Sequence, residues 1–168
     1  MSEDLRIRPY ERADRDAVLA LHERALRDAG GYVENVPDEA EADLDDIAGT
    51  YLERGAFVVG ERADVGDGIV AMGGFRPHGE TADTSDPRTA ELKRMRVAPD
   101  HQRQGHGTAI LQAMEATARD RGFGRMVLDT GPEMTAARSF YEHHGYGKTG
   151  RETFRDGEIE VVLYTKEL

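Results

Sequence analysis

Val97-Ala-Pro-Asp-His-Gln102-Arg103-Gln104-Gly105-His106-Gly107-Thr108 is the most informative segment of this 168-residue chain. Pro99 ends the strand before it, and Gly105 and Gly107 let backbone come close to a ligand as a helix opens. The first turn of a helix carries unpaired N–H groups and a partial positive charge, so an anion is favoured there. Gly-x-Gly alone suits several nucleotides. The segment is not a Walker A loop, because no Gly-Lys-Ser/Thr follows. Nor is it a full Gly-x-Gly-x-x-Gly, since Ile110 holds the third position, and a nicotinamide cofactor loses most of its support.

The surrounding charge points the same way. Residues 88–106 contain five bases (Arg88, Lys93, Arg94, Arg96, Arg103) and two acids (Glu91, Asp100), a local charge of +3 in a chain of net charge −11. A basic island in an acidic protein suits a particular anionic ligand, or pairs with acids on neighbouring elements. The overall balance argues against nucleic acid as a partner, because phosphate binding draws on clustered Lys and Arg. With 19 Arg, 3 Lys and 33 acids, the composition resembles that of proteins from salt-loving cells, where ionic strength screens repulsion. A GC-rich genome would also favour Arg. The acidic run Glu39–Asp46 reads as a solvated helix face.

The length suits one domain. No apolar run nears the ~20 residues needed to span a bilayer, and Met1–Tyr10 lacks a signal-peptide core, so a cytoplasmic protein with no membrane partner is expected. The chain has no Cys, which removes disulfides, thiolate nucleophiles and Cys-ligated metal.

Outward from the loop, residues 89–97 (TAELKRMRV) form a strand in which the apolar phase slips between Leu92 and Met95. A β-bulge explains that slip, as does a strand of mixed faces. Residues 105–121 form a helix with Ile110, Leu111, Met114 and Ala118 inward, stopped at Gly122. Strand 125–130, helix 134–144 and strands near 146–155 and 158–167 follow, the last two turning at Asp156-Gly157. The strand–helix–strand run across 89–130 implies a parallel pair in a mixed sheet. Toward the N-terminus lie a strand at 5–10, a helix at 12–29 and a Gly30-Gly31 break. A second helix then places Leu44, Ile47, Ala48, Tyr51 and Leu52 on one face. Strands at 56–61 and 69–75 are joined by a turn at Asp64–Gly68, and a polar loop covers 77–88.

Gln102-x-x-Gly105-x-Gly107, with Val97-x-Pro99 before it, resembles the Gln/Arg-x-x-Gly-x-Gly/Ala signature of the GNAT superfamily of N-acetyltransferases. The likeness continues through Leu128-Asp129-Thr130 and Ala137-Arg-Ser-Phe-Tyr141-Glu-His-His-Gly145-Tyr146, over residues 3–168 as a single domain. It implies an α/β acyl-CoA N-acyltransferase fold: a central twisted mixed sheet of about six to seven strands flanked by about four helices. It also implies acetyl-CoA as co-substrate, held by backbone N–H groups of Arg103, Gln104, Gly105, His106, Gly107 and Thr108 with Gln102 beside them. The pantetheine arm would lie along Met95, Arg96 and Val97, pairing as an added strand would, with Thr130 and Ala137 completing the cofactor contacts. Met134 stands where the family often has Asn, and His106 where a small apolar residue is usual. Dimers are common among proteins that resemble this one.

Acyl transfer from a thioester needs a neutral amine, a polarised carbonyl and a protonated leaving thiolate. Amine and thiol pKa values near ~10.4 and ~8.5 make a base and an acid useful at neutral pH. Without Cys, direct transfer in a ternary complex is favoured. By the resemblance, Glu91 is the candidate base, directly or through water, and Tyr141 the candidate acid. An ion pair with a neighbouring Arg is the other reading of Glu91, and a packed aromatic that of Tyr141. The N–H near Val97 would polarise the carbonyl. His78, His143 and His144 could carry protons, but their spacing gives no metal-ligand pattern. The acceptor would be a primary amine, a small molecule first and a protein N-terminus or Lys second, enclosed by loops 30–38 and 77–88 and the strand ends near Phe57 and Phe75. An acyl-CoA-binding regulatory domain without turnover is the alternative class.

Overall fold

A computed structural model describes residues 5–29, 41–63, 68–78, 88–154 and 156–168. Seven strands form one sheet: β1 (Arg6–Pro9), β2 (Ala56–Glu61), β3 (Ile69–Pro77), β4 (Thr89–Val97), β5 (Arg125–Thr130), β6 (Gly147–Phe154) and β7 (Ile159–Glu167). Their spatial order is β1-β2-β3-β4-β5-β7-β6. Among these pairs only β4 and β5 run parallel, as a strand–helix–strand crossover requires. Four α-helices are described: α1 (Arg15–Ala29), α2 (Ala42–Asp45), α3 (His106–Asp120) and α4 (Thr135–His143). None is long and apolar enough to cross a membrane.

The sheet separates two apolar layers. On one side α3 buries Ile110, Leu111, Met114 and Ala118 against Phe75, Ala90, Leu92, Met126 and Leu128. Full burial of side chains this size contributes roughly 1.5–3 kcal/mol each, so α3 is a main anchor of the fold. On the other side Val18 and Leu21 of α1 join Leu44, Ile47 and Tyr51 over Phe57, Val59, Val70 and Met72.

The second helix differs from its expected form. It breaks at Asp46 into the single α2 turn and a wide π-type turn over Ala48–Leu52. Leu44, Ile47 and Tyr51 still face the core, but Leu52 is exposed. The extra residue per turn in the second piece rotates Leu52 off the shared face. Nor is the acidic run wholly solvated: Asp43 is buried. The hairpin between β6 and β7 turns at Asp156 and Gly157, both with positive φ (56° and 88°), the backbone of a tight two-residue connection. Expected features at 30–38 and Asp64–Asp67, and most of the 77–88 loop, lie outside the described residues.

Candidate active site

The parallel pair is short, and that creates the site. Thr89, Ala90 and Glu91 pair with Arg125, Met126 and Val127, after which β4 stays with β3 alone. The strands splay, and Leu92–Val97 and Leu128–Thr130 become opposite walls of a cleft of about 840 Å³. Its ends are closed by α1, by the Gln102–Thr108 turn and by α4.

β4 bends at a bulge. Lys93 lies opposite Gly74 and Arg96 opposite Met72, so Arg94 and Met95 together face Gly73. Arg94 is left-handed, with φ 60°, a conformation that costs a non-glycine residue about 1 kcal/mol or more. Gly73 makes room for the bulge: a Cβ there would lie 2.7 Å from Met95 Sδ and 2.8 Å from Ile110 Cγ2. On the far face, the Arg94 guanidinium is held by Asp43, at 2.7 Å from Nη2 to Oδ1 and 2.9 Å from Nε to Oδ2. The Tyr51 hydroxyl donates to the same carboxylate at 2.6 Å. The bulge that explains the phase slip is therefore built by a small residue behind it and an ion pair in front.

Beyond the bulge, Ala98 N–H donates to Val70 O at 2.7 Å. Backbone groups alternate along a strand, so the N–H and C=O of Val97 face the opposite edge, into the cleft. Gln102 Nε2 donates to that Val97 carbonyl at 3.2 Å and ties the turn to the strand. Arg103 and Gly105 then take positive φ (61° and 84°), and α3 begins at His106. A Cβ on Gly105 would meet nothing within 4 Å; it is the φ that favours glycine there. The first turn of a 15-residue helix thus opens onto the cleft with its N–H groups forward.

Of the residues expected to contact a cofactor, Met95, Arg96, Val97, Gln102, Arg103, Gly105, Gly107, Thr108, Thr130 and Ala137 line the cleft. Gln104 and His106 do not. Gln104 Oε1 instead accepts from Arg62 Nη1 at 3.0 Å. The His106 ring is buried, its two nitrogens have no hydrogen-bond partner among the described residues, and burial lowers its pKa. Only their main-chain groups belong to the turn. Met134 also lines the cleft, with Thr130 Oγ1 3.9 Å from its sulfur.

Tyr141 projects from α4 into the cleft and packs edge-on against Phe140 and Tyr146. Burial pushes its hydroxyl up to about 12, against an opposing pull from the nearby Arg96 cation, so it is protonated throughout the neutral range. Glu91 is not part of the cleft lining. It faces the α1 side, where Arg76 Nε donates to Oε1 at 3.1 Å and His78 Nδ1 lies 3.9 Å from Oε2. His144 Nε2 meets Thr108 Oγ1 at 3.1 Å. Phe57 and Phe75, expected near the acceptor, are closed into the core and absent from the lining. Lining residues that sequence reading did not assign to the site include Arg94 and the Ala25–Ala29 end of α1. The clustered bases of 88–106 were the visible signal for Arg94. No group of three or more metal-ligating side chains occurs among the described residues.

A mixed sheet opened between two parallel strands, with a bulged strand edge and a helix N-terminus at the mouth, defines the acyl-CoA N-acyltransferase fold. The sequence profile of the Acetyltransferase (GNAT) family matches residues 15–146. The chain belongs to that family. It is 33% identical over 125 residues to human N-acetyltransferase 8, a match covering 73% of this chain and 53% of that protein. The chain spans about half the length of the curated relatives it matches in that group. An acetyltransferase of the GNAT family from Staphylococcus aureus superposes with a TM-score of 0.80 at 18% identity, covering 98% of this chain and 99% of that one. A GNAT family acetyltransferase from Elizabethkingia anophelis with acetyl-CoA bound gives 0.68 at 19%, covering 99% of each.

Proposed function

We propose that this chain is an N-acetyltransferase that moves the acetyl group of acetyl-CoA to a primary amine by direct transfer, within one domain over residues 3–168. The observation that carries this reading is that Val97 N–H and the Tyr141 side chain belong to one cleft whose mouth is a helix N-terminus. The diphosphate sits at the Arg103–Thr108 turn, where unpaired N–H groups and Arg103 favour an anion. The pantetheine arm pairs with the free edge of Met95–Val97 as an extra strand. Val97 N–H then donates to the thioester carbonyl oxygen, a contact worth about 3 kcal/mol when charge gathers there.

In the transfer step the amine lone pair attacks the carbonyl carbon and a C–N bond forms. The C–S bond breaks as the sulfur takes the Tyr141 proton and leaves as the free thiol. The proton lost from the amine nitrogen restores Tyr141 through solvent, giving amide and CoA thiol. Glu91, held by Arg76 outside the lining, would act as base only through a water. A small-molecule acceptor suits the cleft of about 840 Å³, and a protein N-terminus or Lys side chain is the second choice.

Calorimetric titration with acetyl-CoA tests the placement of the donor. Wild-type protein should bind with one-to-one stoichiometry, and Gly107→Glu, which sets a carboxylate against the diphosphate, should abolish binding. Micromolar binding retained by that variant would overturn the placement.

A further inference from the structure

Three guanidiniums on the α1-facing side of the sheet carry a carboxylate partner: Arg8 with Asp14 and Glu61, Arg76 with Glu91, and Arg94 with Asp43. Arg96, two residues beyond Arg94 and on the same face, has none among the described residues. Its Nη1 donates to the Met95 carbonyl at 2.8 Å, and its Nε points at His22 Nδ1 from 3.4 Å. His22 cannot neutralise it. Burial, and then the charges of Arg96 and Arg94, hold that imidazole down at about 3, so it is a neutral acceptor. Glu41 Oε2 lies 3.3 Å from the other His22 nitrogen, out of line for a hydrogen bond. The carboxylate of Asp43 is already committed to Arg94 and Tyr51. Three acids also line the cleft, Asp28, Asp129 and Glu133. None is within ion-pair distance of Arg96.

Arg96 Nη2 therefore has no partner among the described residues, and Arg96 is a half-buried residue of the cleft wall. A guanidinium with no anionic partner in a half-buried wall is unfavourable by itself, and burial lowers its affinity for the proton to about 10. Both penalties are relieved by an anion. The diphosphate is bound elsewhere, at the helix N-terminus, and an ammonium arriving beside the guanidinium would be repelled by Arg96. That repulsion favours delivery of the amine in its neutral, nucleophilic form.

We propose that Arg96 pairs with a carboxylate on the acceptor, so that the amine substrate is an amino acid or a related small amine bearing a carboxylate. The guanidinium fork matches a carboxylate at two points. This rests on the acetyl-transfer reading above and adds the acceptor class to it.

The test uses matched triplets of amines: an amino acid, its amide and its decarboxylated amine, in α- and γ-amino series with aliphatic and aromatic side chains. Thiol release is followed at saturating acetyl-CoA. The acids should exceed their amides in kcat/KM by about 10- to 100-fold, the range of a hydrogen bond to a charged group. In Arg96→Gln that ratio should collapse through a higher acceptor KM, Arg96→Lys should keep part of it, and the KM for acetyl-CoA should stay near wild type. Amides or decarboxylated amines reacting as well as acids, or an unchanged ratio in Arg96→Gln, would overturn the proposal and leave acetyl transfer standing. A raised KM for acetyl-CoA in place of the acceptor would assign Arg96 to the donor and also overturn it. Binding of acetyl-CoA with no amine acetylated would overturn both readings together.

Discussion

Arg94 and Asp43 meet in a two-point ion pair, with Nη2–Oδ1 at 2.7 Å and Nε–Oδ2 at 2.9 Å, and this pair holds the left-handed residue of β4 in place. The clamp links α2 to the bulge, and so to the strand edge that faces the cleft. Removing one partner of a buried pair destabilises by roughly 3–5 kcal/mol. Asp43→Ala should show a loss of that size in urea unfolding, and a loss below about 1 kcal/mol, the range of an exposed pair, would contradict the clamp.

The same pair sets an acid limit. Burial alone would raise the Asp43 carboxyl, but hydrogen bonding and charge from Arg94 outweigh it and hold it at about 2. A carboxylate depressed in the folded state stabilises fully above its unfolded value of about 3.9, and that stability disappears as pH falls toward about 2. Stability measured between pH 4 and pH 2 should drop in wild type, with a smaller drop in Asp43→Asn. Equal drops would place the titrating group elsewhere.

Tyr141 is expected to act as the acid for the leaving thiolate. Tyr141→Phe should lower kcat on the order of 100-fold, within the usual range for a general acid, with little change in the Kd for acetyl-CoA. With its hydroxyl raised to about 12, the wild-type residue stays protonated well above neutral pH, so activity should not fall on the alkaline side below about pH 10 on its account. Unchanged turnover in the Phe variant would remove Tyr141 from this role.

Gly73 is the space into which the bulge packs. Gly73→Ala sets a Cβ against Ile110 Cγ2 and Met95 Sδ, and overpacking of this kind costs about 1–3 kcal/mol. The double variant Gly73→Ala with Met95→Ala should recover part of the loss in thermal unfolding. No recovery would show that Met95 is not the obstruction.

These relationships divide cleanly by how far apart their partners lie in the chain. The β4–α3–β5 unit was legible because its signals are local: Pro99 stops the strand, two glycines open the helix, and Ile110, Leu111, Met114 and Ala118 repeat at helical spacing. The slipped phase between Leu92 and Met95 even marked the bulge. What holds the bulge was not legible. Asp43 lies 51 positions from Arg94, inside an acidic run whose composition suits a solvated face, and only the packing of α2 singles it out. The side-chain directions of Gln104 and His106 were not legible for a similar reason: proximity to the turn fixed their backbone, while tertiary neighbours decided where their side chains point. Glu91 sits at the expected strand position, but its register partner across β3 is Arg76, a pairing that strand spacing alone cannot assign.

The net charge of −11 predicts salt dependence. Between 0.01 M and 1 M salt the Debye length shrinks from about 30 Å to about 3 Å, which screens repulsion among the surface carboxylates. Tm should rise on going to molar KCl, and a Tm that falls or stays level would contradict salt adaptation.

The most direct test of the account is amine-dependent thiol release from acetyl-CoA, followed with detection of the N-acetylated product, at both low and molar salt. The account predicts thiol and N-acetyl amine in equal amounts from wild-type protein, and sharply less of both from Tyr141→Phe. Tight binding of acetyl-CoA with no thiol release from any amine in the panel would contradict it and make the cleft an acyl-CoA-binding module without turnover.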